Sequence, residues 1–527
     1  MQRESEQNNA PGIPGADMPA AESAPDASAA GNAAAAEISA IDPHPLREMV
    51  KIALPVVVAM TSYTLMQMVD KLMVSRLGPD PIYVGAQGNG GLAAFIPISI
   101  VTGCLTVINT YVSQNLGNKT PERAPAYAWS GVWLGVLAWI LLIPYALSME
   151  SIFLAMGHAP ERAAMEASHG RPLVLGAIFT ISARAFSQFF YGMHRPTVVL
   201  AAEISANITN FVCNSFLIYG AIAPAPTGNS LFDAWFSFTA SVCQSVGIDR
   251  HGVEGAAFGT VMGTMVEMLI PAAVFLSAKY NRLYGTRRAW RPSVTHIKDI
   301  LRIGWPGGLM FGNEMFCWAF FMVYLVGGFG EHHSNAGWIA HQWMSLSFMP
   351  AVGISVAITA VVGKCIGAKR HDLAAKRAYL GLGVASTYMT AMGLCFVLFR
   401  NEMVGIFISG ETSAADRAEI LALGTKFMIA AATFQLFDGI AMSMSGALRG
   451  AGDTVWIGIV TVFLAWAVIV GGGIFMVRVF PDLGSVGPWM TASAYIICLS
   501  LIALGRFTSG RWKTIKLLNR SPAAAGH

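Results

Sequence analysis

Residues 103–117 read GCLTVINTYVSQNLG, and 250 positions later residues 353–367 read GISVAITAVVGKCIG. Gly103 and Gly117 thus return as Gly353 and Gly367, and Gly131 returns as Gly381 at the same offset. Other marks keep nearly that spacing: Pro55 and Pro306, Ile152-Phe153 and Ile406-Phe407, Gly192 with Arg195 and Gly446 with Arg449. A repeat of about 250 residues is a whole bundle, far longer than a solenoid unit. In an apolar chain it predicts two matching membrane halves facing each other across a pathway, which is how transporters are built.

Composition agrees. Of 527 residues, 54% are hydrophobic and 12% charged, against roughly 25% charged in an ordinary soluble domain. Apolar runs lie near 50–74, 90–112, 128–147, 172–192, 197–220, 254–278, 299–327, 336–362, 378–399, 420–447, 455–477 and 484–505. Each approaches the ~20 residues that cross hydrocarbon. The expected fold is an all-α integral membrane protein, with twelve transmembrane helices in two pseudo-twofold-related lobes of six. The divisions are a disordered cytoplasmic tail 1–44 without a signal peptide, an N-lobe 45–279, a basic cytoplasmic linker 280–298, a C-lobe 299–510 and a cytoplasmic tail 511–527.

An inward N-terminus places 24 of the 34 Lys and Arg on the cytoplasmic side, as the positive-inside rule requires. The strongest vote comes from Lys279, Arg282, Arg287, Arg288, Arg291, Lys298 and Arg302, between the halves. These serve to orient the chain and to touch lipid headgroups, so the net charge of +4 implies no nucleic-acid partner. The seven cysteines show no paired spacing, which points to neither disulfides nor zinc. Nucleotide-binding and HExxH patterns are absent, so neither hydrolysis of nucleotide nor zinc catalysis is expected.

An acid at the centre of a membrane helix costs about 2.5–3.5 kcal/mol on insertion scales and needs a cavity, a partner or a task. Asp70, Glu314 and Asp438 stand out. Asp70 follows Pro55 by fifteen residues, roughly 22 Å along the first helix. Lys71 beside it either snorkels to the interface or changes its role. Glu314 and Asp438 belong to one half, and if helices 7 and 10 face its interior they share one cation, with Asn313, Thr433 and Gln435 as neighbouring ligands. Without a cation the two carboxylates repel, so the pair suits a sodium ion or a proton. The bland alternative is pairing with Lys426 or Arg184. Asn207, Asn210 and Asn214 recur at helical spacing and share one face, as interhelical hydrogen bonds or as polar ligands. Phe186, Phe316, His341 and Gln342 are candidates for a substrate cavity, against a default of packing or lipid contact. Asp453 or Thr454 is expected to cap helix 11. The outer stretch 221–252, apolar from Leu231 to Val246, reads as a surface helix.

These residues resemble the multidrug and toxic compound extrusion (MATE) family, in its NorM-like branch, over roughly residues 45–510. The resemblance rests on Pro55 followed by Asp70, Pro306 followed by Glu314, and Asp438 followed by Ala447 to Thr454. It rests also on Val112-Ser113-Gln114-Asn115-Leu116-Gly117 and Val362-Gly363-Lys364-Cys365-Ile366-Gly367. It implies a secondary antiporter and not an enzyme, exporting small organic cations against sodium or protons. The implied setting is the inner membrane, with a monomer in lipid and both termini cytoplasmic. Glu314 and Asp438 then bind the coupling cation, and Asp70 serves coupling or release. Asn214 stands where the DinF-type branch has a protonatable aspartate, which disfavours a proton site in the first half. Lys71 and the long 221–252 connection depart from the pattern. The rival readings are a lipid-linked precursor flippase of the wider superfamily and an intramembrane enzyme using His341.

Overall fold

The computed structural model describes residues 42–78, 82–408 and 413–518. The tail expected over 1–44 lies outside these residues up to position 41, as does the C-terminal tail beyond 518. The described chain is α-helical, and twelve spans are counted when one bent pair is taken as a single span. The N-lobe comprises α1 (Pro45–Ser75), α2 (Ile82–Gly117), α3 (Pro121–Ala155), α4 (Pro160–Leu175 with Ala177–Gly192), α5 (Pro196–Leu217) and α6 (Gly252–Phe275). The C-lobe comprises α7 (Val294–Phe329), α8 (Glu331–Gly367), α9 (His371–Leu398), α10 (Ala414–Ala451), α11 (Thr454–Val479) and α12 (Val486–Thr508).

Helix α4 bends by 45° between its two parts. Its first part carries Glu161, Arg162, Glu166, His169 and Arg171, so hydropathy alone starts the segment too late. Glu166 is fully buried, yet satisfied by Asn89 Nδ2 at 2.7 Å, Arg162 Nε at 2.9 Å and His158 Nδ1 at 2.5 Å. The outer stretch is helical over Ser230–Val246, capped by the Asn229 side chain and ended by Gly247 in the left-handed region. It lies on the end of α5, where Trp235 Nε1 donates to Ser215 Oγ at 3.0 Å.

The internal repeat is visible in three dimensions. Asn118 N donates to Gln114 O and Lys119 N to Leu116 O, and Ala368 and Lys369 donate in the same way to Lys364 and Ile366. Lys119 and Lys369 share a left-handed φ of 60° and 58°. The glycines mark where the helices approach most closely. A Cβ on Gly117 would strike the Lys364 carbonyl, and one on Gly367 the Gln114 carbonyl. The ends of α2 and α8 therefore cross backbone to backbone at the pseudo-twofold axis. Ile108 lies against Gly131 just as Ile358 lies against Gly381.

Each lobe also borrows the start of the other's first helix. Met49, Ile52 and Ala53 of α1 are buried in the C-lobe core, and Ile300 and Ile303 of α7 in the N-lobe core. Hydrogen bonds joining the lobes lie on this connector side: Thr110 Oγ1 to Arg449 O at 2.9 Å, Gln114 Nε2 to Gly450 O at 2.9 Å and Asn109 Nδ2 to Val356 O at 3.3 Å. Glu48 of α1 and Arg377 of α9 form an interlobe ion pair at 3.2 Å, each side chain 7% exposed. Arg377 Nη2 also donates to Asp42 O at 2.5 Å. The expected cap of α11 takes a different form. The Asp453 side chain makes no cap bond, because Arg506 binds its carboxylate at 2.8 and 3.3 Å. Thr454 instead donates to Ile303 O.

Candidate functional site

Asp70 lies near the end of α1 farthest from the connector, yet it is 6% exposed. This excludes a solvated helix end. Its carboxylate accepts from Asn214 Nδ2 at 2.7 Å and from Asn210 Nδ2 at 3.4 Å, while the nearby Thr260 hydroxyl of α6 donates to Ala256 O at 3.0 Å. Asn214 Nδ2 also reaches Asn210 Oδ1 at 3.2 Å, and Asn210 Nδ2 reaches Thr260 Oγ1 at 3.3 Å. Spacings of three and four residues had put the asparagines on one face of α5; packing turns that face toward α1 and α6. Gly259 keeps the space beside Asn214 free, since a Cβ there would overlap the Asn214 Oδ1 atom. That oxygen, on a fully buried side chain, has no hydrogen-bond partner among the described residues. Lys71 is exposed and exerts its charge on His341, not in an ion pair with Asp70.

Among the described residues, only neutral dipoles bond to the Asp70 anion. A buried charge held this way is costly, by several kcal/mol, unless a cation or a proton joins it. The available ligands are oxygens from Asp70, Asn210, Asn214 and Thr260, the set a hard cation prefers. Thr260 is the member that sequence reasoning missed; one of two threonines on an apolar helix, it carries no signal that sets it apart from Thr264.

In the C-lobe, Glu314 and Asp438 are both half-buried. The charge of Glu314 acts on Asp438, and both act on the buried Tyr495 of α12. The basic group that influences Glu314 is Arg449, in place of the Lys426 or Arg184 considered from sequence. Arg449 donates to Ser355 Oγ at 2.9 Å. The neighbours divide. Asn313 Oδ1 is taken by Trp466 Nε1 at 2.6 Å. Thr433 is exposed and donates to Ala430 O within its own helix. Gln435 is buried and donates to Ser347 Oγ at 3.3 Å. None of the three side chains is drawn toward the two acids by these bonds.

The cavity candidates need one correction. Phe186 is 4% exposed and packs at 5.2 Å from Phe275 and 6.2 Å from Trp129. It is a core residue of the N-lobe, because its face of α4 turns toward α3 and α6. Phe316 is half-exposed and stacked on Trp466 at 5.6 Å. His341 sits edge-on between Trp318 and Trp338, at 5.7 and 5.6 Å, and Gln342 beside it is half-buried.

Two acids not singled out from the sequence also meet inside the N-lobe. Glu203 of α5 and Glu267 of α6 are neighbours: the charge of Glu267 acts on Glu203, and that of Arg184 from α4 reaches both. The signal was present: both are acids within apolar runs, and Glu203 lies on the face of Asn207, Asn210 and Asn214.

The sequence pattern of the MatE family matches residues 55–216 and 309–472, most of both lobes. The Probable multidrug resistance protein NorM of Pseudomonas syringae pv. tomato is 26% identical over 485 residues, covering 90% of this chain and 97% of the relative. The protein of the same description from Mesorhizobium japonicum is 27% identical over 467 residues, covering 88% and 93%. Among solved structures, a MOP superfamily transporter from Pyrococcus furiosus superposes with a TM-score of 0.77 at 20% identity, over 91% of this chain and 99% of the other. A multidrug resistance MATE family transporter in an outward-facing conformation gives 0.76 at 20% identity, over 91% and 98%.

Proposed function

The chain belongs to the MatE family, and on that premise we infer that it is a secondary antiporter of the inner membrane. It exports small, drug-like organic cations in exchange for an inward monovalent cation, with both termini cytoplasmic. The observation that carries the coupling is the Asp70 nest: a buried carboxylate whose partners among the described residues are amides, beside the unpartnered Asn214 Oδ1. Glu314 and Asp438 supply a second pair of negative oxygens in the C-lobe, where Arg449 moderates their repulsion of one another.

In this reading the cycle alternates about the pseudo-twofold axis. Closure on the connector side, through the α2–α8 crossing and the Glu48–Arg377 pair, favours release of substrate to the outside. A cation arriving at Asp70 neutralises the nest and favours the return. One charge falling through 100 mV releases about 2.3 kcal/mol, and a tenfold concentration ratio about 1.4 kcal/mol. One-for-one exchange with a monovalent organic cation cancels the electrical part and leaves the concentration part.

The test is dye efflux from loaded proteoliposomes under separately imposed sodium and proton gradients, for wild type, Asp70→Asn, Glu314→Gln and Asp438→Asn. Efflux driven by at least one gradient in wild type, and lost in Asp70→Asn, is the expected result. Efflux indifferent to both gradients ends the antiporter reading; full activity in the neutralised variants ends the site assignment.

A further inference from the structure

We propose that the bend of α4 forms, together with α6, a binding site for one phospholipid whose headgroup carries a primary ammonium. The site lies on the half of the N-lobe facing away from the connector. Neither Asp70 nor the C-lobe acids line it, and it stands whether or not the chain is an antiporter.

A crevice of about 430 Å³ opens between the two parts of α4 and the first half of α6, a size that suits a ligand. Its deeper wall is apolar, from Pro172, Leu175, Phe179, Phe258 and Val261, and Leu175 and Phe258 stay 38% and 41% exposed. The sequence accounts for the opening. Pro172 has no amide hydrogen for the Ser168 carbonyl, and the helix bends by 45° one turn later. At the bend Gly176 lets α4 touch α6, since a Cβ there would strike Val261. The Leu175 carbonyl, released by the break, accepts from Trp139 Nε1 at 2.8 Å. Nearer the starts of the two helices, His169 Nδ1 is joined to Val253 O at 2.9 Å. The crevice is therefore bounded above and below by fixed contacts and belongs to the fold.

Its rim carries one charge of each sign, Arg171 from α4 and Glu254 from α6. Counted from the contact between Gly176 and Val261, they stand five and seven residues toward the helix starts. That is about 7 and 10 Å, so the two charges share one level of the bundle. Glu254, in the first turn of α6, is half-buried and has no ion pair or hydrogen bond among the described residues. A carboxylate so placed at an apolar surface is stabilised by a cation. Arg171 is engaged only loosely: its Nη2 lies 3.6 Å from Glu150 Oε2, with side chains 37% and 47% exposed, and its Nε donates to Ala146 O at 3.4 Å. An exposed pair of that length contributes little, and the guanidinium fork keeps donors for a phosphate. A phosphate and an ammonium above an apolar trough are the parts of a zwitterionic lipid. A primary ammonium has N–H groups to give Glu254, whereas a quaternary one has none, and an anionic lipid would set negative charge against the carboxylate. The occupant is thus an aminophospholipid, with phosphate on Arg171, ammonium on Glu254 and the upper part of one chain along Leu175, Phe179 and Phe258.

The experiment uses the full chain in detergent, incubated with phosphatidylethanolamine, phosphatidylcholine or phosphatidylglycerol of identical chains. Native mass spectrometry counts the lipid retained by wild type, Glu254→Gln, Arg171→Gln and Arg171→Lys. Wild type is expected to hold one phosphatidylethanolamine about tenfold or more tightly than either of the others. Glu254→Gln should erase that preference. Arg171→Gln should weaken retention of every lipid, since each carries the phosphate, and Arg171→Lys should recover most of the loss. Glu254 has no protein partner to lose, so Glu254→Gln decides the matter even if Arg171→Gln does not fold. Equal retention of the three lipids by wild type, or a preference for phosphatidylethanolamine that survives in Glu254→Gln, overturns the proposal and leaves only the ordinary lipid annulus.

Discussion

Neutralising Glu48 is expected to loosen the closed side of the bundle by a calculable amount. Glu48 and Arg377 face each other at 3.2 Å with 7% exposure each, so solvent screening is slight. Removing one partner of such a buried pair costs about 3–5 kcal/mol, chiefly from the charge left behind. In Glu48→Gln the lower figure applies, because Asp42 O still accepts from Arg377. About 3 kcal/mol shifts the closed-to-open ratio by roughly a hundredfold. Cys365 reports on this directly: it is 1% exposed and lies within the fields of Glu48, Arg377 and Lys364. With the other six cysteines replaced, its alkylation rate in detergent measures how often the lobes part. The rate should rise up to about a hundredfold in Glu48→Gln and fall again in Glu48→Leu/Arg377→Leu, where neither member of the pair is left without the other. A rate within about twofold of the parent in Glu48→Gln means that the pair contributes nothing to closure.

At the Asp70 nest, Asn214→Leu removes a charge-assisted hydrogen bond worth about 1.5–3 kcal/mol. The cation concentration giving half-maximal efflux should then rise by about ten- to a hundredfold, and an unchanged value would clear Asn214 of any part in cation binding. Gly367→Ala drives a methyl into the Gln114 carbonyl and should cost about 1–3 kcal/mol, read as a lower melting temperature in detergent; an equal melting temperature would mean the crossing is looser than described. Phe186→Ala should destabilise the fold by about 3–5 kcal/mol while leaving the order of preference among exported dyes intact, whereas an altered order would return Phe186 to the substrate path. In the outer connection, the Thr227 amide donates to Asp233 at 2.6 Å and holds that carboxyl below its ordinary value. This contribution is fully present above the unfolded aspartate pKa of about 3.9 and is lost as pH falls through the lower folded value. Exchange of the Thr227 amide hydrogen should therefore stay protected at neutral pH and lose protection in Asp233→Asn, and equal exchange in the two would refute the assignment.

Periodicity and spacing made much of this molecule legible. Twelve apolar runs, the 250-residue offset and the surface helix at 230–246 depend on hydropathy and on glycine, which are local properties. The lower limit of α4 was hidden because Glu166 is satisfied by the distant Asn89 of α2 together with its near neighbours Arg162 and His158. The site follows the same division. That Asn210 and Asn214 share a face is local information; that the face meets Asp70 and Thr260 is decided by how α1, α5 and α6 turn toward one another. Phe186 shows the reverse failure, since an aromatic cluster on a membrane helix reads alike whether it lines a path or fills a core.

The backbone contact at Gly117 and Gly367 bears on how the two halves can move. Where helices interlock through knobs of leucine or phenylalanine, turning one against the other forces every knob out of its hole before the next is reached. At these two glycines there are no knobs, only peptide planes pressed against peptide planes. The crossing acts as a smooth pivot, and the resistance to turning comes from around it: the polar bonds at Thr110, Gln114 and Glu48, and the starts of α1 and α7 seated in the opposite lobes.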